Sequence, residues 1–209
     1  MDLLVLAKEP RPGRVKTRLC PPCTAEQAAD IAAAALADTL AAATASGADR
    51  VVLALDGQPG DWCPPGVEVV PQGTGDLADR LATAWRSTSG PAIQIGMDTP
   101  QVGSEELRSA MEVLADPAVD AVLGPACDGG WWAIGFSGPV PTRVFRDIPT
   151  SRADTGARQR ARLRRLGLRC VALEAQTDVD TWEDACAVAA AHPHLHLART
   201  VGDVARGVA

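Results

Sequence analysis

Apolar residues in this chain fall in short runs separated by amphipathic stretches, and the two alternate from end to end. Leu3–Ala7, Val51–Leu55, Val67–Val70, Ala92–Gly96, Val119–Leu123 and Trp131–Phe136 are such runs, bounded by Gly, Pro or Asp as buried strands are. Between them, Thr24 and Gln27 form a Thr-x-x-Gln capping box that opens a helix running to about Ser46, and Gly47 stops it. Further helices are predicted over about 77–87, over about 105–115 with Ser104 as its cap, over about 154–166, and from Thr181 to about Ala191. A last strand is predicted near Cys170–Leu173. Strands alternating with helices of this length predict an α/β fold, a mostly parallel doubly wound sheet with helices on both faces. No repeat, low-complexity linker or composition shift divides the chain, so residues 1–209 read as a single domain.

In such a sheet, ligands bind beyond the carboxyl ends of the strands. The loops that follow the apolar runs are therefore where chemistry is expected. The first, Ala7-Lys-Glu-Pro-Arg-Pro-Gly-Arg-Val-Lys-Thr-Arg-Leu19, carries Lys8, Arg11, Arg14, Lys16 and Arg18. It is neither a GxGxxG fingerprint nor a P-loop. Five cations on one short loop repel one another unless an anion is at hand, and a nucleotide's phosphates would supply it. A solvated basic loop is the plainer reading.

Gln72-Gly-Thr-Gly-Asp76 is a Gly-rich turn between a strand and a helix. It suits recognition of a base or ribose, or is simply a turn with Asp76 as helix cap. Asp98, in Met97-Asp-Thr-Pro100, closes the most apolar strand and offers a hard oxygen ligand for Mg²⁺ or Mn²⁺. Asp128-Gly129-Gly130-Trp131-Trp132 follows another strand. It is either an acceptor pocket in which Asp128 orients or deprotonates the acceptor, or a hairpin turn with core tryptophans. In Asp178-Val-Asp-Thr-Trp-Glu-Asp184, Thr181 and Asp184 cap a helix, whereas Asp178 and Asp180 lie outside it and can serve a metal.

Composition narrows the partners. The net charge of −6 argues against a general nucleic-acid binder, so the local basic clusters carry more meaning than the total. The Ala-rich stretch from Ala28 to Ala45 is broken by Asp30, Asp38, Thr39 and Thr44, which predicts an amphipathic helix rather than a membrane span. With no secretory signal pattern, the expectation is a cytoplasmic protein with reduced thiols. Cys20-Pro-Pro-Cys23 lacks the second ligand pair of a zinc site. The arginines of 158–169 recur at helical spacing, as on a solvated face, and His192, His194 and His196 stand far along the chain from the inferred site.

Taken in order, the five motifs AKEPRPGRVKTRL, QGTGDLADRL, IGMDTP, LGPACDGGWWAIGF and DVDTWEDA resemble the DUF2064 group of the GT-A-like (Rossmann-like) nucleotide-dependent transferase superfamily. That group is often labelled as rSAM/selenodomain-associated or arsenosugar-type glycosyltransferases. The first loop is also similar to that of phospholactate guanylyltransferases, and DVDT-x-ED to a segment of CMP-Kdo synthetases. The resemblance implies Asp98 and Asp180 as the metal pair for Mg²⁺ or Mn²⁺. It implies Lys8, Arg14, Lys16 and Arg18 on the phosphates and Gln72 to Asp76, including Gly73, on the nucleoside. Trp131-Trp132 stands where the group has Tyr-Tyr, and Pro149-Thr-Ser151 where it has Trp-Ser-Thr, so the acceptor half departs most from the pattern.

An NTP donor and a nucleotide-sugar donor both suit this fold. Five loop cations and two metal-directed acids favour the triphosphate. The expectation is then nucleotidyl transfer to a small phosphate, phosphonate-like or carboxylate acceptor. Lys16 and Arg18 would stabilise charge on the leaving pyrophosphate, and Asp128, Gly129, Trp131 and Trp132 would hold the acceptor. The alternative is glycosyl transfer from a nucleotide-sugar. Neither nucleic acid nor membrane is an expected partner.

Overall fold

The computed structural model describes residues 1–141 and 143–208, with the side chain of Val208 left aside. Seven strands form one sheet in the order β3-β2-β1-β4-β6-β5-β7. At its centre β1 (Asp2–Lys8) runs parallel to β2 (Arg50–Asp56) and β4 (Ala92–Gly96), with Leu3 opposite Val51 and Val5 opposite Ile95. Burial on both faces explains why these strands read as unbroken apolar runs: Leu3, Leu4, Val5, Val52, Leu53 and Ile93 are all fully buried. β3 (Glu68–Pro71) forms one edge, parallel to β2, and β7 (Cys170–Ala172) the other, parallel to β5 (Ala121–Pro125). β6 (Trp131–Phe136) runs antiparallel between β4 and β5. The sheet is thus mostly parallel, as expected, with one reversed strand.

Helices cover both faces. α1 (Ala25–Ala45) and α3 (Ser104–Ala115) pack on one, α2 (Leu77–Trp85) and α4 (Thr155–Arg165) on the other. Thr24 and Gln27 make the reciprocal bonds of a capping box at the start of α1. Ser104 does not cap α3. The cap is Gly103, which has no side chain to accept from the first-turn N–H groups, and the helix starts at Ser104 itself.

Two features depart further from the sequence reading. α1 is long and apolar enough to cross a membrane by length and composition alone. Instead it is buried from two sides. Ala29, Ala32, Leu36 and Leu40 face the sheet, while Ala28, Ile31 and Ala35 face α5 (Trp182–Ala191) and α6 (His196–Val208). It is therefore a core helix and not the one-sided amphipathic helix predicted. α6 itself was not anticipated. Leu197, Val201 and Val204 recur at helical spacing and are buried, and Asp38 of α1 accepts from the backbone N–H groups of His196 and Leu197 at its start.

Candidate functional site

The carboxyl ends of β1, β2, β3 and β4 share one rim, and the Lys8–Leu19 loop, the Gln72–Asp76 turn and Met97–Pro100 all sit on it. The segment before α5 reaches the same rim through backbone bonds. Cys127 N–H donates to Gln176 O at 2.9 Å, and Val179 N–H donates to Asp98 O at 2.7 Å. That last bond joins two residues far apart in sequence and brings Asp98 and Asp180 together.

Lys16 completes the junction. Its backbone is left-handed, with φ 46° and ψ 36°, a conformation costing a non-glycine residue about 1–2 kcal/mol. The ammonium lies between the carboxylates of Asp98 and Asp180, at 3.1 Å from Asp180 Oδ1, and donates to Val179 O. The Lys16 side chain is only 7% exposed, whereas those of Asp98 and Asp180 are 43% and 36% exposed. The ammonium is thus beneath the two acids, which keep oxygen surface open to the cleft. Burial works to lower the Lys16 pKa, but the charges of Asp98 and Asp180 outweigh it and hold the group above its ordinary value.

Asp178 shows the surplus of acid here. Burial first, then the charges of Asp98, Asp128 and Asp180, push its carboxyl up to about 7, against the opposing pull of Lys16. Among the described residues no group of three His, Cys, Asp or Glu side chains converges as a closed metal site. The donor set is two hard carboxylates already sharing one cationic group. That fits a divalent cation whose remaining ligands are phosphate and water oxygens, as Mg²⁺ and Mn²⁺ sites often have.

The cleft beside this pair has a volume of about 470 Å³ and is lined by Lys8, Arg14, Lys16, Arg18, Gln72, Arg80, Asp98 and Asp180 among others. A larger hollow of about 880 Å³ lies under α2 and the 138–146 segment, but only Asp79, Arg86 and Arg146 among its lining residues are ionisable. The charged cleft on the strand rim is the better candidate for chemistry.

Several sequence expectations are revised by this geometry. Lys16 was expected on phosphate; its ammonium is instead committed to the two acids. Of the other loop cations, Arg11 pairs with Glu9 at 2.7 Å and Arg18 with Asp180 at 3.3 Å. Lys8 and Arg14 line the cleft without an ion pair among the described residues.

Gln72 was expected to meet the nucleoside. It is 2% exposed, and its amide nitrogen donates to Ala7 O and Ala54 O at 2.8 and 3.2 Å, which ties the ends of β1 and β2 together. Gly73 and Gly75 take φ of +81° and +104°, and a Cβ on either would press on the side chains of Thr83 or Asp79, so the turn itself requires them. Asp76 caps α2 by accepting from Asp79 N–H at 2.9 Å.

The expected acceptor pocket is mostly a hairpin. Asp128 Oδ1 accepts from Gly130 N–H at 2.7 Å, closing the turn between β5 and β6. Gly129 has φ +91°, and a Cβ there would come within 2.1 Å of the Ala153 carbonyl oxygen. Trp132 is 4% exposed in the core and donates its indole N–H to Glu174 O at 2.9 Å. Trp131 is half-buried, stacked on Phe145 with ring centres 6.5 Å apart. Of the four residues assigned to the acceptor, Trp132 is removed by burial, and Asp128 and Gly129 have structural duties.

The arginines of α4 and beyond make structural pairs, Arg158 with Asp154 and Arg169 with Asp120. His196 Nδ1 lies 2.7 Å from Asp38 Oδ1, and the rings of His192 and His194 meet edge to face. All six cysteines are free thiols. Arg80 is a cleft residue that sequence reasoning missed. Its one signal is its place eight residues after Gln72, just inside α2.

The chain is similar along nearly its whole length to a protein of Desulfovibrio desulfuricans G20, provisionally named a nucleotide-diphospho-sugar transferase. The two share 24% identity with a TM-score of 0.87, over 99% of this chain and 96% of that one. It also matches Rv0371c of Mycobacterium tuberculosis H37Rv in its manganese complex, at 23% identity and TM-score 0.53, over 90% and 97% of the two chains. A nucleotidyl transferase of Methanothermobacter thermautotrophicus matches at 18% identity and TM-score 0.57, over 96% and 99%. At such identities these likenesses establish the fold, a GT-A-like, Rossmann-like α/β architecture. No curated protein matches the sequence. The family model for DUF2064, described as an uncharacterized protein conserved in bacteria, matches residues 27–152. That span holds Gln72, Asp98, Asp128 and Trp132 but neither the first loop nor Asp180. It is more than half of the 209 residues, and the chain therefore belongs to the DUF2064 family.

Proposed function

We propose that this chain is a metal-dependent transferase that moves a nucleotidyl group from an NTP to a small phosphate, phosphonate-like or carboxylate acceptor. The observation that carries the reading is the convergence of Asp98 and Asp180, from two distant segments, on one cationic group at the strand rim. Asp98 and Asp180 would hold Mg²⁺ or Mn²⁺, which when bound neutralises phosphate oxygens of the donor and the charge developing on the leaving pyrophosphate.

The rest of the work falls to the chain's own groups. Lys8 and Arg14, free of ion pairs among the described residues, bind the donor phosphates from the loop side. Lys16 fixes the spacing of the two acids from below, a positioning role, and Arg18 steadies Asp180. An acceptor oxygen attacks the α-phosphorus as the bond to the bridging oxygen breaks, and pyrophosphate leaves. Among the neighbours, one named a nucleotidyl transferase supports this reading and one in a manganese complex supports the metal, whereas the Desulfovibrio desulfuricans protein, named for nucleotide-diphospho-sugar transfer, supports the second reading below.

A second reading, glycosyl transfer from a nucleotide-sugar, gains from one finding. Three of the five loop cations are spent on Glu9, Asp98 and Asp180, leaving fewer for a third phosphate. Incubation with each NTP and each common nucleotide-sugar, with Mg²⁺ or Mn²⁺ and a panel of small acceptors, separates the two. Pyrophosphate release is the expected result. Nucleoside diphosphate release from a nucleotide-sugar instead would replace this reading with the second.

A further inference from the structure

Arg80 has a place in the cleft that neither the fold nor the acid pair accounts for. It lines the cleft beside Leu6, Gln72 and Leu77. Its Nη1 donates to Gln72 Oε1 at 3.0 Å, whereas its Nε is buried with no acceptor. Among the described residues it has no carboxylate partner. A buried guanidinium N–H left without an acceptor is costly, and a water, an ion or a ligand entering the cleft can complete it.

Gln72 holds the guanidinium in one orientation. Its amide nitrogen is used by the carbonyls of Ala7 and Ala54, so its oxygen can only face Arg80. The remaining N–H donors form a planar fork whose direction is set before any ligand arrives. This fork lies over the ends of β1 and β2, whereas Asp98 follows β4 on the other side of β1. Fork and acid pair thus belong to different strand ends along one cleft, with β1 between them. Leu6 and Leu77 add apolar surface at the Arg80 end, and the unpaired cations Lys8 and Arg14 belong to the loop after β1.

We propose that Arg80, held by Gln72, selects the donor's nucleobase by donating two hydrogen bonds to a pair of adjacent acceptors. Guanine offers O6 with N7, and cytosine offers O2 with N3. Adenine sets an amino donor beside N7, and uracil sets an N–H between its carbonyls, so each meets the fork with a donor. The inference rests on the nucleotide-donor reading above and adds base specificity to it.

The test is a binding series with GTP, CTP, ATP and UTP in the presence of Mg²⁺, on the wild-type chain and on Arg80→Lys and Arg80→Met, with circular dichroism as the fold control. Wild type is expected to prefer GTP or CTP over ATP and UTP by roughly ten-fold or more. Arg80→Lys keeps the charge but loses the fork, and is expected to bring the four affinities within a few-fold of each other. Equal weakening of all four in both variants would make Arg80 a phosphate contact and overturn the proposal. So would a wild-type chain without that preference, which tests the idea even if a variant fails to fold. If wild type binds no NTP at all, the donor reading itself falls. If NTPs bind and the preference survives in both variants, only the role of Arg80 falls.

Discussion

On the rim above β1 and β4, Lys16, Asp98 and Asp180 come from three remote parts of the chain and meet as one cluster of opposite charges. On the rim above β5 and β6, residues with an equally suggestive pattern close a turn and fill a core. Asp128 bonds Gly130, Gly129 packs on Ala153, and Trp132 is buried with its indole bonded to Glu174. Both regions are Gly- or Pro-flanked acids at strand ends. What separates them is whether the carboxylate's partner is the turn's own backbone or a cation brought from elsewhere.

The sharpest way to break this contrast is to remove one acid from each region. Asp98→Ala is expected to lower turnover by more than about 100-fold while circular dichroism keeps the wild-type fold, with some loss in melting temperature because the buried Lys16 keeps only Asp180 as partner. Asp128→Ala should instead cost about 1 kcal/mol of stability and leave turnover within several-fold, and Asp128→Asn, which keeps the acceptor oxygen, should cost less. Equal loss of turnover in the two alanine variants, at equal stability, would dissolve the distinction. Next in size is the hairpin core. Trp132→Ala should destabilise by about 3–5 kcal/mol in urea titration, and Trp131→Ala by clearly less, since Trp131 is only half-buried. A Trp131→Ala variant that keeps its stability but loses acceptor binding would return that residue to the site.

The smallest effect concerns an acid at the far end of β5. The Arg169 side chain and backbone N–H hold Asp120 at about 2, below the ordinary carboxylate value of 3.8. A depressed folded-state pKa stabilises above the unfolded value and is lost as pH falls through the folded one. Wild type should therefore exceed Asp120→Asn in stability at neutral pH. The gap should narrow from about pH 4 downward toward pH 2, as urea midpoints across that range would show. A gap independent of pH would remove the ion pair from the account.

The central strands were legible because burial on both faces writes them as continuous apolar runs, as at Leu3–Ala7 and Ala92–Gly96. Asp98 was legible as an acid at such a strand's end. Its union with Asp180 was expected only through the family resemblance, because it depends on the Val179–Asp98 backbone bond, which no local pattern encodes. Lys16 was read as a phosphate ligand because charge on a loop shows its sign but not its partner. The strand-tying role of Gln72 and the place of Arg80 were hidden for a related reason. A buried amide that ties two strand ends reads like any turn glutamine, and a cleft arginine reads like any helix arginine. α1 misled through composition, since Asp38 suggests an exposed stripe but is spent on capping α6.

On the proposed function, Asp98 and Asp180 together form one divalent-cation site. Titration of Mn²⁺ into the chain with nucleotide present, followed by electron paramagnetic resonance, tests it without requiring turnover or a known acceptor. Wild type is expected to bind a single Mn²⁺, weakened by about ten-fold or more in Asp98→Asn and in Asp180→Asn and lost in the double variant. One Mn²⁺ bound by the double variant with wild-type affinity would contradict it.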